Sequence, residues 1–375
     1  MTIPEFEEFE SNDKLLDQIA SLQKKLEKER DRTDALLQMM VRTIRDVQPP
    51  TPWPVPPIKN DTRRAGAETA IVLASDWQLS KITPDYNTKV GRKRIRLFGD
   101  KISGITNIQR ADHPVKNCRL YLAGDILEGE EIFPGQMHLI DAGLYEQVLH
   151  HAPRAICDLI YSLLNTFEKV HVVGVIGNHG RVGGRSSRLH DPRTNADRMA
   201  YKVAQYMLMG DPDYGLTEIG KSNRVTWSIP GDLEEIPDRY WFAVDYIGDW
   251  GFLMAHGDQI RGGFGGFPFY GYAKKAWGWI DSIPQPWDYL LTGHWHQPTS
   301  LTLNQRQVRI NGSTESRNSY AQENLAAVGS PTQWLAFCHP KKGVTAEYWV
   351  DLSDGRTPQK RRPTDLWPQE ETGSN

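Results

Sequence analysis

Five short segments of the sequence place oxygen- and nitrogen-bearing side chains directly after apolar runs. The runs are residues 70–75, 118–124, 170–177, 251–255 and 289–292. The side chains at or after their ends are Asp76 and Gln78, Asp125, Asn178 and His179, His256, and His294 with His296. Carboxylate, amide and imidazole donors without a thiolate suit Mn, Fe, Zn or Mg better than a soft metal. The pattern therefore predicts a divalent-metal site.

The segments between these runs predict the elements that would bring the polar residues together. Helical patterns near 88–108, 141–167 and 194–208 separate the first apolar runs, which is typical of parallel strands in βαβ units. Further strand-like segments follow at 241–257, 289–294, 307–312 and 345–350. Ligands gather beyond the carboxyl ends of parallel strands. One polar residue at a strand end is more often a cap or a buried histidine, but five strand ends favour a site.

Taken in order, the motifs D-x-(H/Q), GD-x-x-(D/E), GNH, H and GHxH resemble the calcineurin-like metallophosphoesterase superfamily across residues 70–350. The resemblance implies an α/β fold, a two-sheet αββα sandwich, and a centre of two divalent metal ions, with Mn expected ahead of Mg, Fe or Zn. It also implies a role for each motif residue. Asp125 would bridge the two ions, and Asp76 and His296 would hold the first ion. The second ion would be held by Asn178, His256 and His294. His179 would be the catalytic imidazole.

Two positions depart from the pattern of that superfamily, and a third, Glu128, has two possible interpretations. Gln78 stands where the superfamily usually has histidine, and a neutral amide oxygen is a weaker ligand. We therefore expect Gln78 to hold the first metal loosely or to act through water. Gly180 replaces an acid that often follows GNH, which predicts a lowered pKa for His179. Glu128 either orients a ligand from outside the metal shell or is a solvated acid at a helix start.

Two further segments bear on the substrate. The stretch 177–198 contains five arginines, and Arg181, Arg185 and Arg188 could clamp phosphates beside the bond to be cleaved. The alternative is a solvated loop whose arginines form salt bridges with Asp191 and Asp197. Residues 191–197 could also form a local cap for the next helix. Residues 261–280 combine glycine with aromatic residues, which favours base stacking, or else a packed aromatic flap or dimer surface.

The predicted function is therefore a metal-dependent phosphoester hydrolase. Nucleic acid is the favoured substrate partner. The coiled coil, the aromatic segment and the arginine cluster favour a DNA nuclease that resembles the nuclease subunit of double-strand-break processing complexes (SbcD-type). A looser likeness to phage-encoded members also favours nucleic-acid metabolism. A small-substrate phosphodiesterase or phosphatase is the alternative. A non-catalytic scaffold is disfavoured because the ligand residues are intact.

Composition limits where nucleic acid could bind and in which compartment the chain works. The net charge is −3, and residues 1–50 carry 8 basic and 11 acidic side chains, so the remainder is neutral. Any nucleic-acid affinity must therefore come from a local patch. Three scattered cysteines without a CxxC motif, and no secretory signal, predict a reduced cytoplasmic protein. The sequence contains no run of eighteen apolar residues, so no membrane span is predicted.

The chain divides into four predicted parts. Residues 1–48 are predicted to be helical, and apolar residues at alternating steps of three and four over 12–47 predict a coiled coil that forms a homo-oligomer. The alternative is one amphipathic helix packed on the body. Residues 49–66 are a proline-rich linker, residues 67–352 the metallophosphoesterase domain, and residues 353–375 a disordered tail.

Overall fold

Helices and strands alternate in the first half of the described chain, and strands predominate in the second half. The structure is a computed structural model that describes residues 16–28, 53–58, 62–63, 66–182, 191–213, 215–229, 231, 241–261, 267–316 and 329–353. The helices are α1 (16–28), α2 (Thr88–Gln109), α3 (Leu144–Glu146), α4 (Ala152–Thr166), α5 (Ala196–Met209), α6 (Glu218–Ser222) and α7 (Phe269–Ser282). The strands are β1 (Glu68–Ala74), β2 (Val115–Leu122), β3 (Lys169–Gly174), β4 (Gly210–Asp211), β5 (Gly215–Leu216), β6 (Val225–Ser228), β7 (Phe242–Ile247), β8 (Trp250–Ala255), β9 (Tyr289–Thr292), β10 (Thr299–Leu303), β11 (Arg306–Ile310), β12 (Thr332–His339) and β13 (Gly343–Asp351).

The larger strands form two mixed sheets. The first has the order β13-β12-β1-β2-β3-β6, and the second the order β10-β11-β9-β8-β7. Strands β1, β2, β3 and β6 run parallel to one another, as do β8, β9 and β11. Strands β12, β7 and β10 pair antiparallel to these parallel groups. Each sheet therefore presents several carboxyl strand ends at one edge.

Apolar side chains divide between three layers of core. On β1, Val72 faces α2 and α4, whereas Ile71 and Leu73 face the second sheet, because successive side chains alternate across a strand. Phe252, Met254 and Leu291 of the second sheet fill the layer between the sheets. The outer face of that sheet packs against Tyr272, Ala276 and Trp279 of α7. The predicted αββα sandwich is confirmed.

The aromatic segment 261–280 contains most of a helix that the sequence analysis did not predict. Tyr272, Ala276, Trp279 and Ile283 recur at steps of three and four and are buried against the second sheet. This spacing is that of one helix face. Phe269, Tyr270 and Trp277 remain exposed on α7. The packed-flap interpretation describes the buried face of this helix, whereas base stacking or a dimer surface on its exposed face stays a prediction.

The N-terminal prediction is covered only in part. Residues 16–28 are helical and every side chain there is exposed, including the apolar Ile19, Leu22 and Leu26. The rest of the predicted coiled coil, half of the linker and nearly all of the predicted tail lie outside the described residues. Among the helices that are described, none has the length and apolar character needed to cross a membrane.

Candidate metal centre

The seven predicted ligand residues and His179 lie together where the two sheets meet. Asp76, Asp125 and Asn178 follow the carboxyl ends of β1, β2 and β3 in the first sheet. His256 follows β8, and His294 and His296 follow β9, in the second sheet. Contacts between these residues connect the whole set. The arrangement is therefore built from both sheets.

The turns that carry these residues have an unusual backbone. Asp76, Gln78, Asp125, His294 and His296 have φ angles of 53°, 43°, 52°, 72° and 55°. Such left-handed conformations cost roughly 1–3 kcal/mol each for non-glycine residues and cluster at functional sites. The turns also pack very closely on one another. A Cβ at Gly177 would collide with the Asp125 carboxylate, and one at Gly293 with that of Asp76.

The first cluster consists of Asp125, Asn178, His256 and His294, and one side-chain oxygen or nitrogen atom of each residue points to its centre. His256 Nε2 lies 2.9 Å from Asp125 Oδ2, 3.1 Å from Asn178 Oδ1 and 3.2 Å from His294 Nδ1. His256 Nδ1 lies 2.8 Å from the Ala123 carbonyl oxygen, which can only accept a hydrogen bond. Nδ1 therefore carries the hydrogen, and Nε2 of the neutral ring presents its lone pair to the others.

Because lone pairs that face one another repel, these atoms can lie this close only with a proton or a metal ion between them. Burial lowers the pKa of His256, but nearby carboxylates, Asp125 foremost, together outweigh it and raise that pKa to about 10. The ligand atoms of Asp125, His256 and His294 all lie within 4.8 Å of one another. These residues fit a divalent ion, with His256 oriented by the Ala123 carbonyl from the other side of its ring.

The second cluster contains Asp76, Gln78 and His296. His296 Nε2 lies 3.3 Å from Asp76 Oδ1, and His296 Nδ1 lies 2.7 Å from Glu315 Oε1. The His294 backbone N–H donates to both oxygens of Asp76, at 2.9 and 3.1 Å. Gln78 lies beside His296, with its Nε2 at 3.3 Å from His296 Nε2. Its Oε1 accepts a hydrogen bond from Lys81 at 2.8 Å.

His179 lies beside the first cluster and is held at three atoms. Its backbone N–H donates to Asp125 Oδ1 at 2.8 Å. Its Nδ1 lies 2.9 Å from the Glu128 carbonyl oxygen and 3.2 Å from Glu128 Oε2. Its Nε2 lies 4.0 Å from Asp125 Oδ2. The ring is thus fixed through Nδ1, which leaves Nε2 as the nitrogen directed toward the metal centre.

Glu128 is fully buried, so the interpretation as a solvated acid is wrong. Its carboxylate is oriented by Gln136, which donates to Glu128 Oε1 at 3.0 Å. Burial lowers the pKa of His179, but the carboxylates of Glu128 and Asp125 together outweigh it, Glu128 more than Asp125, and raise that pKa to about 9. The expectation of a lowered pKa, drawn from Gly180, is therefore wrong. The acid beside the imidazole comes from position 128 and not from the residue after the GNH motif.

Three site residues were not singled out as site residues in the sequence. Glu315 follows β11, a predicted strand, and was a sixth strand end that the pattern could have included. Lys81 contacts Glu315 from a distant part of the chain, and no local pattern indicates this pair. Asp197 accepts the backbone N–H groups of Asp125, Ile126 and Gly177 and so joins two of the ligand-bearing turns.

The arginine-rich stretch is described only at its two ends. Arg181 forms an ion pair with Asp258 next to the site. Arg185 and Arg188 lie outside the described residues. Asp191 pairs with Arg193, as the solvated-loop alternative expects, and Asn195 caps α5 as a local cap would. Asp197 is fully buried and accepts three backbone N–H groups, so this residue belongs to the buried site and does not lie in a solvated loop.

Comparisons with known proteins add only distant structural likeness. No family model and no curated protein matches the sequence. Vacuolar protein sorting 29 from Cryptosporidium parvum is 14% identical with a TM-score of 0.34, covering 77% of this chain and 94% of that one. An archaeal phosphodiesterase is 12% identical with a TM-score of 0.33, covering 75% and 99%. A predicted phosphoesterase from Streptococcus pneumoniae TIGR4 is 12% identical with a TM-score of 0.28, covering 76% and 100%. At such low values the likeness carries no weight for activity or substrate.

Proposed function

We propose that the protein is a metal-dependent phosphoester hydrolase. The observation that carries this proposal is the convergence of Asp125 Oδ2, Asn178 Oδ1 and His294 Nδ1 on His256 Nε2. These four residues would hold one divalent ion. Asp76 and His296 would hold a second, with Asp125 between the two. A pair of bound divalent ions polarises a phosphoryl group and makes water a nucleophile at neutral pH.

The chain's own contribution to catalysis would come mainly from His179. Because Nδ1 is held by Glu128, the imidazolium presents an Nε2–H toward the metal centre. A donor in that place can protonate the leaving oxygen or stabilise its charge. The mixture of imidazole nitrogen and carboxylate or amide oxygen suits Mn, which we propose ahead of Mg, Fe or Zn.

We further propose that the substrate is DNA. One support is a surface cavity of about 510 Å³ at the start of α2, with Lys89, Arg92 and Arg96 among its lining residues. The cavity adjoins the ligand-bearing turn, because Asp141 accepts from the Thr88 backbone and donates its own N–H to the Ser80 carbonyl. Cationic side chains beside a metal centre could contact phosphates that flank the cleaved bond.

A second support is the exposed face of α7. Phe269, Tyr270 and Trp277 are 58%, 80% and 54% exposed, and Lys274 lies on the same face. The helix is tied to the His294 turn by the hydrogen bond between Tyr272 and Thr292 at 2.8 Å. Bases stack on aromatic side chains of this kind, each contact contributing roughly 1–3 kcal/mol. The aromatic face could therefore hold a strand that passes through the site.

The small-substrate phosphodiesterase is the second candidate, favoured by the ion pair between Arg181 and Asp258. That pair leaves Arg181 less available to clamp a phosphate. For partners, we propose nucleic acid and a second copy of this chain bound through residues 12–47. The exposure of Ile19, Leu22 and Leu26 supports the latter.

The deciding experiment incubates purified protein with Mn, and separately with Mg, on labelled single- and double-stranded DNA and on a chromogenic phosphodiester. Cleavage of DNA that disappears in H179A supports the nuclease. Cleavage of the small diester alone favours the second candidate. No hydrolysis of any of these, with metal bound, contradicts the proposal.

A double variant Y270A/W277A then tests the aromatic face. We expect it to lose about tenfold or more of its DNA cleavage and to keep its activity on the small diester. Ile108→Ala, which trims an exposed apolar side chain on α2, is the control. Equal loss on both substrates would exclude base stacking on α7.

A further inference from the structure

Lys81 places a buried ammonium beside the second cluster. Its Nζ lies 2.8 Å from Glu315 Oε2, 2.8 Å from Gln78 Oε1 and 4.0 Å from Glu128 Oε2. The side chain is only 12% exposed. Glu315 is in turn bound to His296. The positive charge of Lys81 therefore neutralises the carboxylate that stands behind a predicted metal ligand.

The same contact fixes which way Gln78 points. An ammonium only donates hydrogen bonds, so the atom of Gln78 that faces Lys81 must be its oxygen. The amide nitrogen then faces His296 Nε2 at 3.3 Å. An amide NH₂ cannot be a metal ligand, and it donates toward the lone pair that His296 would offer to a metal. Lys81 thus keeps Gln78 in an orientation that opposes metal binding.

The first cluster has no ammonium group among its described contacts, and the cation beside it is the His179 imidazolium, whose Nε2 lies 4.0 Å from Asp125 Oδ2. The atoms around His256 Nε2 are carboxylate, amide and imidazole acceptors. Asp125 Oδ2 faces the imidazole nitrogens of His256, at 2.9 Å, and of His179, at 4.0 Å, so a divalent ion bound there would take the place of a proton held between Asp125 and His256. The cluster around His256 and the cluster around His296 therefore differ in charge, and only the second contains an amide N–H that points at a predicted metal ligand.

We propose that Lys81 makes the two metal sites unequal. Asp125, Asn178, His256 and His294 bind one divalent ion tightly. The ammonium of Lys81 holds the site of Asp76 and His296 in a state of low affinity. This inference rests on the proposed metal-dependent function, but it concerns metal binding and not turnover.

The test is calorimetric titration of Mn²⁺ into metal-free protein. Wild type should bind one ion tightly and a second weakly. Lys81→Met removes the charge that neutralises Glu315 and frees the Gln78 oxygen, so the weak site should tighten about tenfold or more. Lys81→Arg should keep the weak site weak. Lys101→Met, which removes a half-buried lysine bound to the Asp351 carbonyl, is the matched control and should change neither site.

Glu315→Gln separates the role of charge from a role in folding. It removes the negative charge behind His296, so the weak site should weaken further. A merely structural role predicts that Lys81→Met and Glu315→Gln both weaken metal binding, and that result would overturn the inference. Two equal sites in wild type would also overturn it. Protein that binds no Mn²⁺ at all would instead contradict the proposed function.

Discussion

Glu128→Gln should lower the pKa of His179 while leaving its surroundings nearly unchanged. The amide keeps the size of the side chain and its contact with Gln136, but removes the charge 3.2 Å from His179 Nδ1. In the metal-free wild type, burial lowers the pKa of His179, and Glu128 is the largest influence that raises it, to about 9. Without that charge, burial should bring the pKa back toward or below its usual 6.5.

The same change has a consequence for stability. A rise from 6.5 to about 9 on folding corresponds to about 3 kcal/mol of stabilisation, as an upper bound. Because the pKa is raised in the folded state, this contribution is fully present below pH 6.5 and is lost as the pH rises through about 9. Glu128→Gln should therefore destabilise the metal-free protein most near pH 6, and less near pH 10.

The measurements are an NMR titration of the His179 ring and urea unfolding at the two pH values, both on metal-free protein. Glu130→Gln is the matched control, because the Glu130 carboxylate binds the Leu144 backbone N–H instead of His179. A pKa for His179 that stays near 9 in Glu128→Gln would refute the assignment of the shift to Glu128. Equal destabilisation at both pH values would refute the linkage.

Three further predictions concern the roles proposed for the site and for the N-terminal helix. His179→Ala should keep its bound metal, since the backbone contact to Asp125 survives, and lose about 10²–10⁴-fold of turnover; unchanged turnover at saturating metal would contradict the catalytic role. Asp125→Ala should lose both ions in elemental analysis, and one tightly held ion per chain would exclude a bridging carboxylate. Deletion of residues 1–48 should reduce the number of chains per particle in light scattering and leave hydrolysis of a small diester nearly intact. A shortened protein that keeps the wild-type number of chains would argue against oligomerisation through this segment.

The site residues could be identified from the sequence because each follows a buried apolar run. Parallel strands that end at one sheet edge must bring such residues together, so the proximity of Asp76, Asp125 and Asn178 was predictable. The predicted strand ends lay up to three residues too far along the chain. Ala123 and Val175 extend the apolar runs, but they lie buried in the turns after β2 and β3.

The contacts that decide how the site works could not be predicted in this way. The ion pair of Lys81 with Glu315 and the three backbone bonds of Asp197 join segments that are distant in the sequence. They depend on how one turn packs against another, and the spacing of apolar residues along the sequence does not predict such contacts. In residues 261–280 the helical spacing of Tyr272, Ala276 and Trp279 was present, but the surrounding glycine and aromatic residues masked it.

The donors around His256 come from two sheets that are built from different parts of the chain. Asp125 and Asn178 belong to the first sheet, and His256 and His294 to the second. An ion shared by these four residues would act as a non-covalent crosslink between the layers of the sandwich. Chelation would then weaken the junction between the sheets before it weakened either sheet. Metal content would thus affect how firmly the two sheets are joined as well as the chemistry of the site.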